Sequence, residues 1–465
     1  MIFQQLLNEE SGCLSYLIGC SEAGQAIIVD PGRDRVQEYL RLARKKGLAI
    51  RHIVETHTHA DHISGNRDLA AATSAAIHVH RAAGVTFEHE TVSDGDTIRI
   101  GNVEVKVAHT PGHTPDSICL LVTDHTRGDD PWFALTGDTL FVGSVGRPDL
   151  GGERAAEDIW ESLRRVLLPL DDAVEVYPGH GAGSSCGKAM SAKSGSTIGF
   201  ERRFNPALRF GSKAEFVQFI MEGIPPKPAS FETIVGKNRG VIPLRAAKPR
   251  PYSAREAWQA IEDGACVVDL RDPSTYGEGH IPGSIHVWIE SPQFAERVAG
   301  FIPAGAPLLL MATAPSDLDR AVPALSRLGI DEVTGFLQWG MIQWRSEGLP
   351  VATLPQITVH DLSAWLEQGD DVVVVDVREG AEWDDGHIEG AVHVPMFEAV
   401  GRRAELPAER RKAVLCAGGL RSSTTISGLQ RQGMTNFVNV TGGMTAWVKN
   451  GYGVVRRSAP TPPAR

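Results

Sequence analysis

Seven side chains of the types that bind metals occur in four short segments of the sequence. They are His57, His59, Asp61 and His62 in HTHADH, His113 in HTPGHTPDS, Asp138 in LTGDTLF and His180 in YPGHG. Neutral imidazoles and carboxylates are the ligands that borderline divalent metals prefer. A lone His-x-His pair usually consists of ordinary surface or core histidines. Four separate segments with candidate ligands in one chain are more than such ordinary histidines explain. The sequence therefore predicts a metal site assembled from separate parts of the chain.

A cysteine follows the apolar stretch KAVL near the end of the chain. Cys416 begins the sequence CAGGLRS, in which Gly418 and Gly419 permit a tight loop, and Ser422–Gln432 has a helical pattern. The backbone N–H groups of such a loop, and the N-terminus of the helix after it, stabilise a thiolate or an anionic persulfide. Arg421 adds a fixed positive charge. This pattern predicts a reactive cysteine rather than a buried inert one.

Most of the segments with candidate metal ligands come directly after a short apolar stretch of the sequence. The predicted strands are Ala26–Asp30, Ile53–Thr56, Trp132–Thr136 and Ala173–Tyr177, with a hairpin over Thr97–Ala108 and a helix over Arg33–Gly47. Residues at the ends of several strands converge on one edge of a sheet, where the strands provide rigidity. We therefore expect residues 1–245 to alternate strands and helices and to hold the metal ligands at such an edge.

The second half of the chain contains an internal repeat. Residues 224–251 are rich in proline and charge, which predicts a linker. After it, VVDLRDPSTYGEGHIPGSIHV (267–287) aligns without a gap with VVDVREGAEWDDGHIEGAVHV (374–394), at a constant offset of 107 residues. We expect two α/β modules, residues 246–352 and 353–456, followed by a disordered tail over 457–465.

Composition and charge limit the classes of function. With 465 residues the chain is too long for one hydrophobic core, and its net charge of −11 gives no reason to expect nucleic acid or an anionic membrane as a partner. The N-terminal segment has no signal-peptide pattern, and no run of about 18 apolar residues occurs. Six scattered cysteines indicate a reducing compartment. We expect a cytoplasmic protein of several domains.

The ordered set HxHxDH, His, Asp and His resembles the signature of the metallo-β-lactamase fold, over roughly residues 1–240. The resemblance implies an αββα sandwich with the metal site at one edge of its two sheets. Relatives include two-zinc thioester hydrolases of the glyoxalase II type, which GDTLFVGSVGR also resembles, and persulfide dioxygenases with one Fe(II). In the dioxygenases the ligands match His57, His113 and Asp138, which leaves positions open for a persulfide and O2. The other candidates would then be second-shell residues, or would hold a second metal: His59, Asp61, His62 and His180.

The second repeat closely resembles the rhodanese family of sulfurtransferases, over about residues 356–455. The resemblance implies that Cys416 accepts sulfane sulfur and passes it on, with Arg421 as a second catalytic residue. The loop that would cradle the persulfide comprises Ala417, Gly418, Gly419, Leu420, Arg421 and Ser422. The first repeat has no cysteine or glycine pair after its strand PLLLM, and Pro315 stands there instead. It should fold as a rhodanese-like domain and transfer no sulfur, serving as a spacer or docking module or only in packing.

This order of domains resembles a bacterial class of persulfide dioxygenase–sulfurtransferase fusions with staphylococcal members. It implies one Fe(II) per chain, oxidation of a low-molecular-weight thiol persulfide by O2 to sulfite, and exchange between persulfide and thiosulfate at Cys416, in sulfide detoxification. The carrier thiol and the direction of transfer stay open, and relatives suggest self-association. Two alternatives are a two-zinc thioester hydrolase with an appended sulfurtransferase and a sulfur-relay carrier with a non-catalytic metal domain.

The first domain also contains candidates for the path of the substrate. Residues 179–208 depart from the mitochondrial persulfide dioxygenase pattern and match the fusion class better. A cysteine there would line the path, Tyr177 would hydrogen-bond the bound sulfur, and basic residues would receive carboxylates or phosphates of the carrier. The alternative is a partly buried thiol, a solvated basic face and a tyrosine that only packs. The candidates are Tyr177, Cys186, Lys188, Arg202 and Arg203.

Overall fold

The computed structural model describes residues 1–9, 11–152, 154–181, 190–222, 224, 227, 230–240, 249–303 and 305–456. The chain divides into two compact units, residues 1–245 with 326–329 and residues 246–325 with 330–465. The predicted tail lies outside the described residues. Among the residues described, no helix combines the length and the apolar character needed to cross a membrane.

The first unit contains two sheets and the helices that cover them. Its strands are β1 (Ile2–Leu7), β2 (Leu14–Cys20), β3 (Gln25–Val29), β4 (Ala49–Val54), β5 (Ala76–His80), β6 (Glu90–Val92), β7 (Thr97–Ile100), β8 (Val103–His109), β9 (Ile118–Asp124), β10 (Phe133–Gly137), β11 (Leu140–Phe141), β12 (Ser144–Val145), β13 (Glu175–Pro178) and β14 (Ser196–Thr197). Its helices are α1 (Val36–Lys45), α2 (Asn66–Thr73), α3 (Ala155–Ser162), α4 (Ile198–Phe204), α5 (Lys213–Met221) and α6 (Ser230–Arg239). The two large sheets have the orders β1-β2-β3-β4-β5-β6 and β14-β13-β10-β9-β8-β7.

The two large sheets pack face to face, with helices on both outer faces. Along β9, Leu120 and Val122 lie in the core between the sheets, together with residues of β2 and β3. Cys119, on the opposite face of β9, lies in the outer core with residues of α3 and α5. Tyr39 of α1 and Leu69 of α2 cover the other sheet. Because side chains alternate along a strand, a sheet buried on both faces shows this pattern. The result is the predicted αββα sandwich.

The directions of the strands bring the candidate ligands together. β8 and β10 are both antiparallel to β9, and β13 is parallel to β10, so β8, β10 and β13 run in the same direction. Their C-terminal ends meet at one edge of the sheet, and they are followed by His113, Asp138 and His180. β4 of the other sheet leads to His57. The predicted strands lie within a few residues of these bounds.

The prediction of a linker over residues 224–251 is wrong in its central part. α6 occupies Ser230–Arg239 and buries Phe231, Ile234 and Asn238. Phe231 and Ile234 are three positions apart, which is helical spacing and gives the segment an apolar face. The proline-rich sequence on either side concealed this short pattern.

The second unit contains two similar parallel sheets, one for each repeat. Its strands are β15 (Arg250–Tyr252), β16 (Cys266–Asp269), β17 (Ile285–His286), β18 (Leu308–Met311), β19 (Val333–Leu337), β20 (Gln356–Ile357), β21 (Val372–Asp376), β22 (Val392–His393), β23 (Arg411–Leu415) and β24 (Phe437–Val440). Its helices are α7 (Ala254–Glu262), α8 (Pro273–Glu278), α9 (Phe294–Phe301), α10 (Pro315–Arg327), α11 (Gly340–Ser346), α12 (Val359–Gln368), α13 (Gly380–Asp385), α14 (Leu420–Arg431) and α15 (Gly443–Lys449). The sheets have the orders β15-β19-β18-β16-β17 and β20-β24-β23-β21-β22, which correspond strand by strand.

Strand pairing shows which residue replaces the cysteine in the first repeat. Met311 pairs with Asp269, and Leu415 pairs with Asp376. The two aspartates are equivalent in the repeat, so Met311 and Leu415 are equivalent as well. Ala312 therefore stands at the position of the cysteine that follows Leu415.

Candidate metal centre and sulfur-transfer site

Three of the predicted ligands face one another at the sheet edge. The ligand atoms of His57, His113 and Asp138 all lie within 4.8 Å of one another, and the three side chains are buried. Asp138 Oδ2 lies 3.4 Å from His113 Nε2 and 3.9 Å from His57 Nε2. This oxygen has no hydrogen-bond partner among the described residues. A buried carboxylate oxygen without a partner is costly, and a divalent cation would remove that cost. These residues therefore fit one metal ion.

Hydrogen bonds to the far nitrogens orient both imidazoles. His113 Nδ1 lies 3.0 Å from the carbonyl oxygen of Arg147, which can only accept, so Nδ1 carries the proton. His57 Nδ1 lies 3.0 Å from Thr56 Oγ1, which donates its own proton to Asp30 at 2.8 Å. His57 Nδ1 is therefore a donor too. Both Nε2 atoms present lone pairs toward the same carboxylate, as metal-binding histidines do.

Burial and neighbouring charges set the ionisation of this group. Burial, together with the positive charge of His59, lowers the pKa of His57 to about 3, so its imidazole is neutral. Burial alone would raise the pKa of Asp138, but its interaction with His180, including a hydrogen bond, outweighs burial and holds that pKa below its usual range. A neutral imidazole beside an ionised carboxylate is the state in which both bind a divalent metal.

His59 belongs to a separate buried group. Its Nε2 lies 3.2 Å from Asp30 Oδ1 and 3.2 Å from Glu55 Oε2. Burial lowers the pKa of His59, but these two carboxylates outweigh it and raise the pKa well above its usual value. The nitrogen that faces the carboxylates therefore carries a proton in this arrangement, in which the ligand atoms of Asp30, Glu55 and His59 lie within 4.8 Å of one another. In this geometry His59 neutralises two buried carboxylates.

The remaining candidates form a second group beside the first. His180 bridges two carboxylates, with Nδ1 2.8 Å from Asp138 Oδ1 and Nε2 2.9 Å from Asp61 Oδ2. His62 Nδ1 lies 3.2 Å from the same Asp61 oxygen, and Cys13 Sγ donates to it at 3.0 Å. The ligand atoms of Cys13, Asp61 and His62 lie within 4.8 Å of one another. Cys13 lies in no ligand motif of the sequence and is brought here by backbone pairing with His180.

Two buried polar residues that the sequence analysis missed hold the HTHADH loop. Asp116 accepts hydrogen bonds from the N–H and the hydroxyl of Thr58, both at 2.7 Å. Asn238 of α6 donates to the carbonyl oxygens of His59 and His62, at 2.9 and 2.8 Å. α6, which lies within the proline-rich segment 224–251, therefore supplies a residue that fixes the HTHADH loop.

Tyr177 is a packing residue in this structure. Its hydroxyl donates to Glu175 Oε2 at 2.8 Å, and its ring centroid lies 4.7 Å from that of Phe3. Burial and the neighbouring carboxylate raise the pKa of Tyr177 to about 12, so the phenol stays protonated. Of the two roles open to it from the sequence, the geometry supports packing.

Two of the basic candidates, Arg202 and Arg203, lie on α4. Arg202 of α4 pairs with Asp172 and donates to the carbonyl oxygens of residues 168 and 170, at 2.8 and 3.1 Å. Arg203 is exposed. Cys186 and Lys188 lie outside the described residues, so a role of Cys186 in the substrate path stays a prediction.

Cys416 lies directly after β23 and is buried. Its Sγ accepts a hydrogen bond from the N–H of Gly419 at 3.0 Å, and the Ser422 hydroxyl lies 3.6 Å away. Gly419 has φ of 99°, in the region that favours glycine. Because α14 begins at Leu420, the sulfur lies beside the N-terminal end of a helix, where negative charge is stabilised.

Arg421 is oriented by Glu382, a residue of α13 that the sequence analysis missed. Its two terminal nitrogens each donate to a different carboxylate oxygen of Glu382, both at 2.7 Å. The hydrogen bond to Glu382 raises the pKa of Arg421, and the nearby Cys416 acts in the same direction. Arg421 is thus a fixed cation near the sulfur.

In the first repeat, the loop after β18 corresponds to the reactive loop, and its backbone N–H groups bind a nearby carboxylate of the same module. Asp317 accepts hydrogen bonds from the N–H groups of Thr313 and Ala314, at 3.0 and 2.9 Å. Backbone donors that would face an anion are therefore satisfied internally. Ala312 stands in place of the cysteine, and the absence of sulfur transfer by this module stays a prediction.

Comparison with known proteins agrees with this architecture. The profile of the metallo-beta-lactamase superfamily matches residues 9–180, and that of the rhodanese-like domain matches residues 253–347 and 358–450. A crystal structure of a metallo-beta-lactamase from Staphylococcus aureus is similar with a TM-score of 0.64 and 32% identity, over 72% of this chain and 98% of that chain.

Two curated relatives match the N-terminal part of the chain. The mitochondrial persulfide dioxygenase ETHE1 of Bos taurus is 29% identical over 241 residues, which is 51% of this chain and 87% of the bovine chain. A hydroxyacylglutathione hydrolase of Polaromonas is 38% identical over 169 residues, 36% of this chain and 61% of that protein. The predicted fold class is confirmed: the chain belongs to the metallo-beta-lactamase superfamily and carries two rhodanese-like domains after its metallo-beta-lactamase domain.

Proposed function

We propose that this chain is a non-haem Fe(II) persulfide dioxygenase coupled to sulfur transfer at Cys416. The observation that carries the proposal is the donor set of His57, His113 and Asp138, whose ligand atoms lie within 4.8 Å of one another while His59 is held by carboxylates. Two imidazoles and one carboxylate on one face of Fe(II) leave positions open. Similarity to a persulfide dioxygenase, together with two rhodanese-like domains, supports a sulfur compound as the common substrate.

The reaction converts R–S–SH, O2 and water into R–SH and sulfite. O2 takes up the electrons that the terminal sulfur loses, and water supplies the third oxygen of sulfite and the proton of the thiol. Bound Fe(II) would supply open coordination positions and the electrons that activate O2. The Nδ1–H hydrogen bonds of His57 and His113 keep Nε2 available, and Asp138 stays ionised. His180 lies between two carboxylates and fixes the position of Asp138 through the hydrogen bond to its other oxygen.

At the second site, Cys416 takes up sulfane sulfur as a persulfide. The N–H of Gly419 and the start of α14 stabilise its negative charge, and Arg421 adds a fixed cation. A persulfide carrier thiol such as glutathione, coenzyme A or a bacillithiol-like thiol, and thiosulfate or sulfite, are the expected small-molecule partners. A cytoplasmic location, a role in sulfide detoxification and self-association belong to the same proposal.

Paired variants of the full chain test this function. Protein loaded with Fe(II) under anaerobic conditions should consume O2 with glutathione persulfide and release sulfite. His113→Ala should abolish O2 uptake and leave thiosulfate–cyanide transfer intact, whereas Cys416→Ser should do the reverse. A wild-type sample that holds iron and consumes no O2 with any persulfide tested would contradict the dioxygenase assignment.

A second candidate function is a dinuclear zinc thioester hydrolase with an appended sulfurtransferase. The group of Cys13, Asp61 and His62 beside the first donor set favours it, as does the similarity to a hydroxyacylglutathione hydrolase. Against it, both ring nitrogens of His180 are already hydrogen-bonded to carboxylates. Release of glutathione from S-lactoylglutathione by zinc-loaded protein, without O2 uptake by iron-loaded protein, would favour this alternative.

A further inference from the structure

The two rhodanese-like modules meet along α14, the helix that begins at the reactive loop. The backbone N–H of His286 in the first module donates to Ser427 Oγ at 2.9 Å, and the hydroxyl of Ser423 lies 2.8 Å from His286 Nδ1. Arg431, at the other end of α14, donates to the carbonyl oxygen of Gly283 at 2.8 Å. The module with Ala312 in place of the reactive cysteine therefore fixes the helix on which Cys416 depends.

α9 of the first module also packs closely against the second module. A Cβ atom added to Gly428 of α14 would lie 2.3 Å from a ring carbon of Phe301, and one added to Gly300 of α9 would lie 2.5 Å from a ring carbon of Phe397. Only glycine permits such approaches. Arg297 precedes Phe301 by one helical turn and lies on the same face of α9. This face carries a guanidinium into the contact between the modules.

The guanidinium of Arg297 is buried and incompletely paired. The residue is 6% exposed, and its Nε and Nη1 have no hydrogen-bond partner among the described residues. Burial lowers the pKa of Arg297, and the charged groups that act on it are Cys416, Arg421 and Glu296. Buried N–H donors without partners are costly, so Nε and Nη1 of Arg297 mark a place for an anion. Cys416 is one of the charges that act on Arg297, and α9 packs against α14, the helix that begins at the reactive loop of the other module.

We propose that Arg297 binds the sulfonate oxygens of thiosulfate and of sulfite at Cys416, so that the two modules share one sulfur-transfer site. This inference rests on the proposed transfer of sulfur at Cys416. Arg421 is already engaged by Glu382, whereas Arg297 has unpaired donors. The first module then has a direct role at the reactive site, beyond that of a spacer.

The transfer step places negative charge where Arg297 would act. The thiolate of Cys416 attacks the outer sulfur of thiosulfate, a new S–S bond forms, and the S–S bond of thiosulfate breaks. Sulfite leaves with the electron pair, and the cysteine persulfide keeps one negative charge, so atoms and charge balance. The reverse step makes thiosulfate from sulfite. A guanidinium that binds the sulfonate group stabilises the anion in both directions.

The test replaces Arg297 in the full chain and measures thiosulfate–cyanide transfer. Arg297→Met should raise the KM for thiosulfate about 10- to 100-fold, as loss of a charge-assisted hydrogen bond does. Its thermal midpoint should equal or exceed that of the wild type, because an apolar side chain replaces a buried unpaired charge. Arg255→Gln is the matched control, since Arg255 is an exposed arginine of the same module, paired with Glu347, and it should leave KM unchanged.

Further outcomes separate this inference from the proposed function. A KM for Arg297→Met within twofold of the wild-type value overturns the inference. The same holds if the variant only shifts the pH dependence of Cys416 alkylation by iodoacetamide and leaves the KM unchanged. Should the methionine variant not fold, Arg297→Lys decides: a severalfold rise in KM supports the inference and an unchanged KM overturns it. Full transfer activity in Cys416→Ser would instead remove the proposed sulfur transfer itself.

Discussion

Gly443, the first residue of α15, packs its backbone closely against the reactive loop. A Cβ atom at this position would lie 2.1 Å from the carbonyl oxygen of Cys416 and 2.8 Å from that of Ala417. Gly443 also has φ of +48°, whereas Gly451 has φ of +77° and nothing within 4 Å of an added Cβ. Both alanine variants incur the left-handed backbone cost of about 1–2 kcal/mol. Gly443→Ala adds overlap with backbone atoms, of order 1–3 kcal/mol more.

The two variants should therefore differ both in local stability and in activity. Hydrogen–deuterium exchange of β23 and α14 measures stability in this region without assuming two-state unfolding of the whole chain. Gly443→Ala should speed exchange there and sharply lower thiosulfate–cyanide transfer, because the displaced carbonyl belongs to Cys416. Gly451→Ala should keep nearly full activity. Equal protection and equal activity in the two variants would refute the argument that backbone contact with α15 sets the position of the cysteine.

Glu382→Gln should lower kcat/KM for thiosulfate about two- to fivefold, because a partly exposed ion pair is worth up to ~1 kcal/mol. An unchanged kcat/KM would exclude a role of Glu382 in positioning Arg421. The hydrogen bond from Arg421 lowers the pKa of Glu382 below 4.5, so this pair stabilises the fold above that pH. The difference in thermal midpoint between wild type and variant should shrink as the pH falls through the lower folded pKa. His59→Gln should destabilise the fold by about 3 kcal/mol, because two buried carboxylates lose their cation, yet keep its iron by metal analysis. His113→Gln should lose iron; the opposite pattern would make His59 the ligand.

The pattern of apolar residues and turn residues was enough to predict individual hairpins and helices. The hairpin around Gly101 appears as β7 and β8, and the helix predicted over Arg33–Gly47 appears as α1 after a short turn. The helix after Cys416 begins at Leu420, two residues earlier than predicted. The ordered ligand motif placed the metal candidates near strand ends because the first ligand of each segment follows its strand within four residues.

The contacts that could not be predicted from the sequence join residues that are far apart in the chain. Asn238 bonds to carbonyl oxygens 179 and 176 residues earlier, and Cys13 reaches Asp61 across 48 residues. Neither lies in a motif, so only the folded chain brings them to the site. The division of seven candidate ligands into distinct groups is likewise decided by hydrogen bonds, such as those that His59 makes with Asp30.

The metal content of anaerobically prepared full-length protein, measured together with its O2 uptake on glutathione persulfide, tests the central claim most directly. The arrangement of His57, His113 and Asp138 predicts one iron per chain and sulfite formed in step with the O2 consumed. Two zinc ions per chain, with cleavage of a glutathione thioester and no O2 uptake, would contradict it.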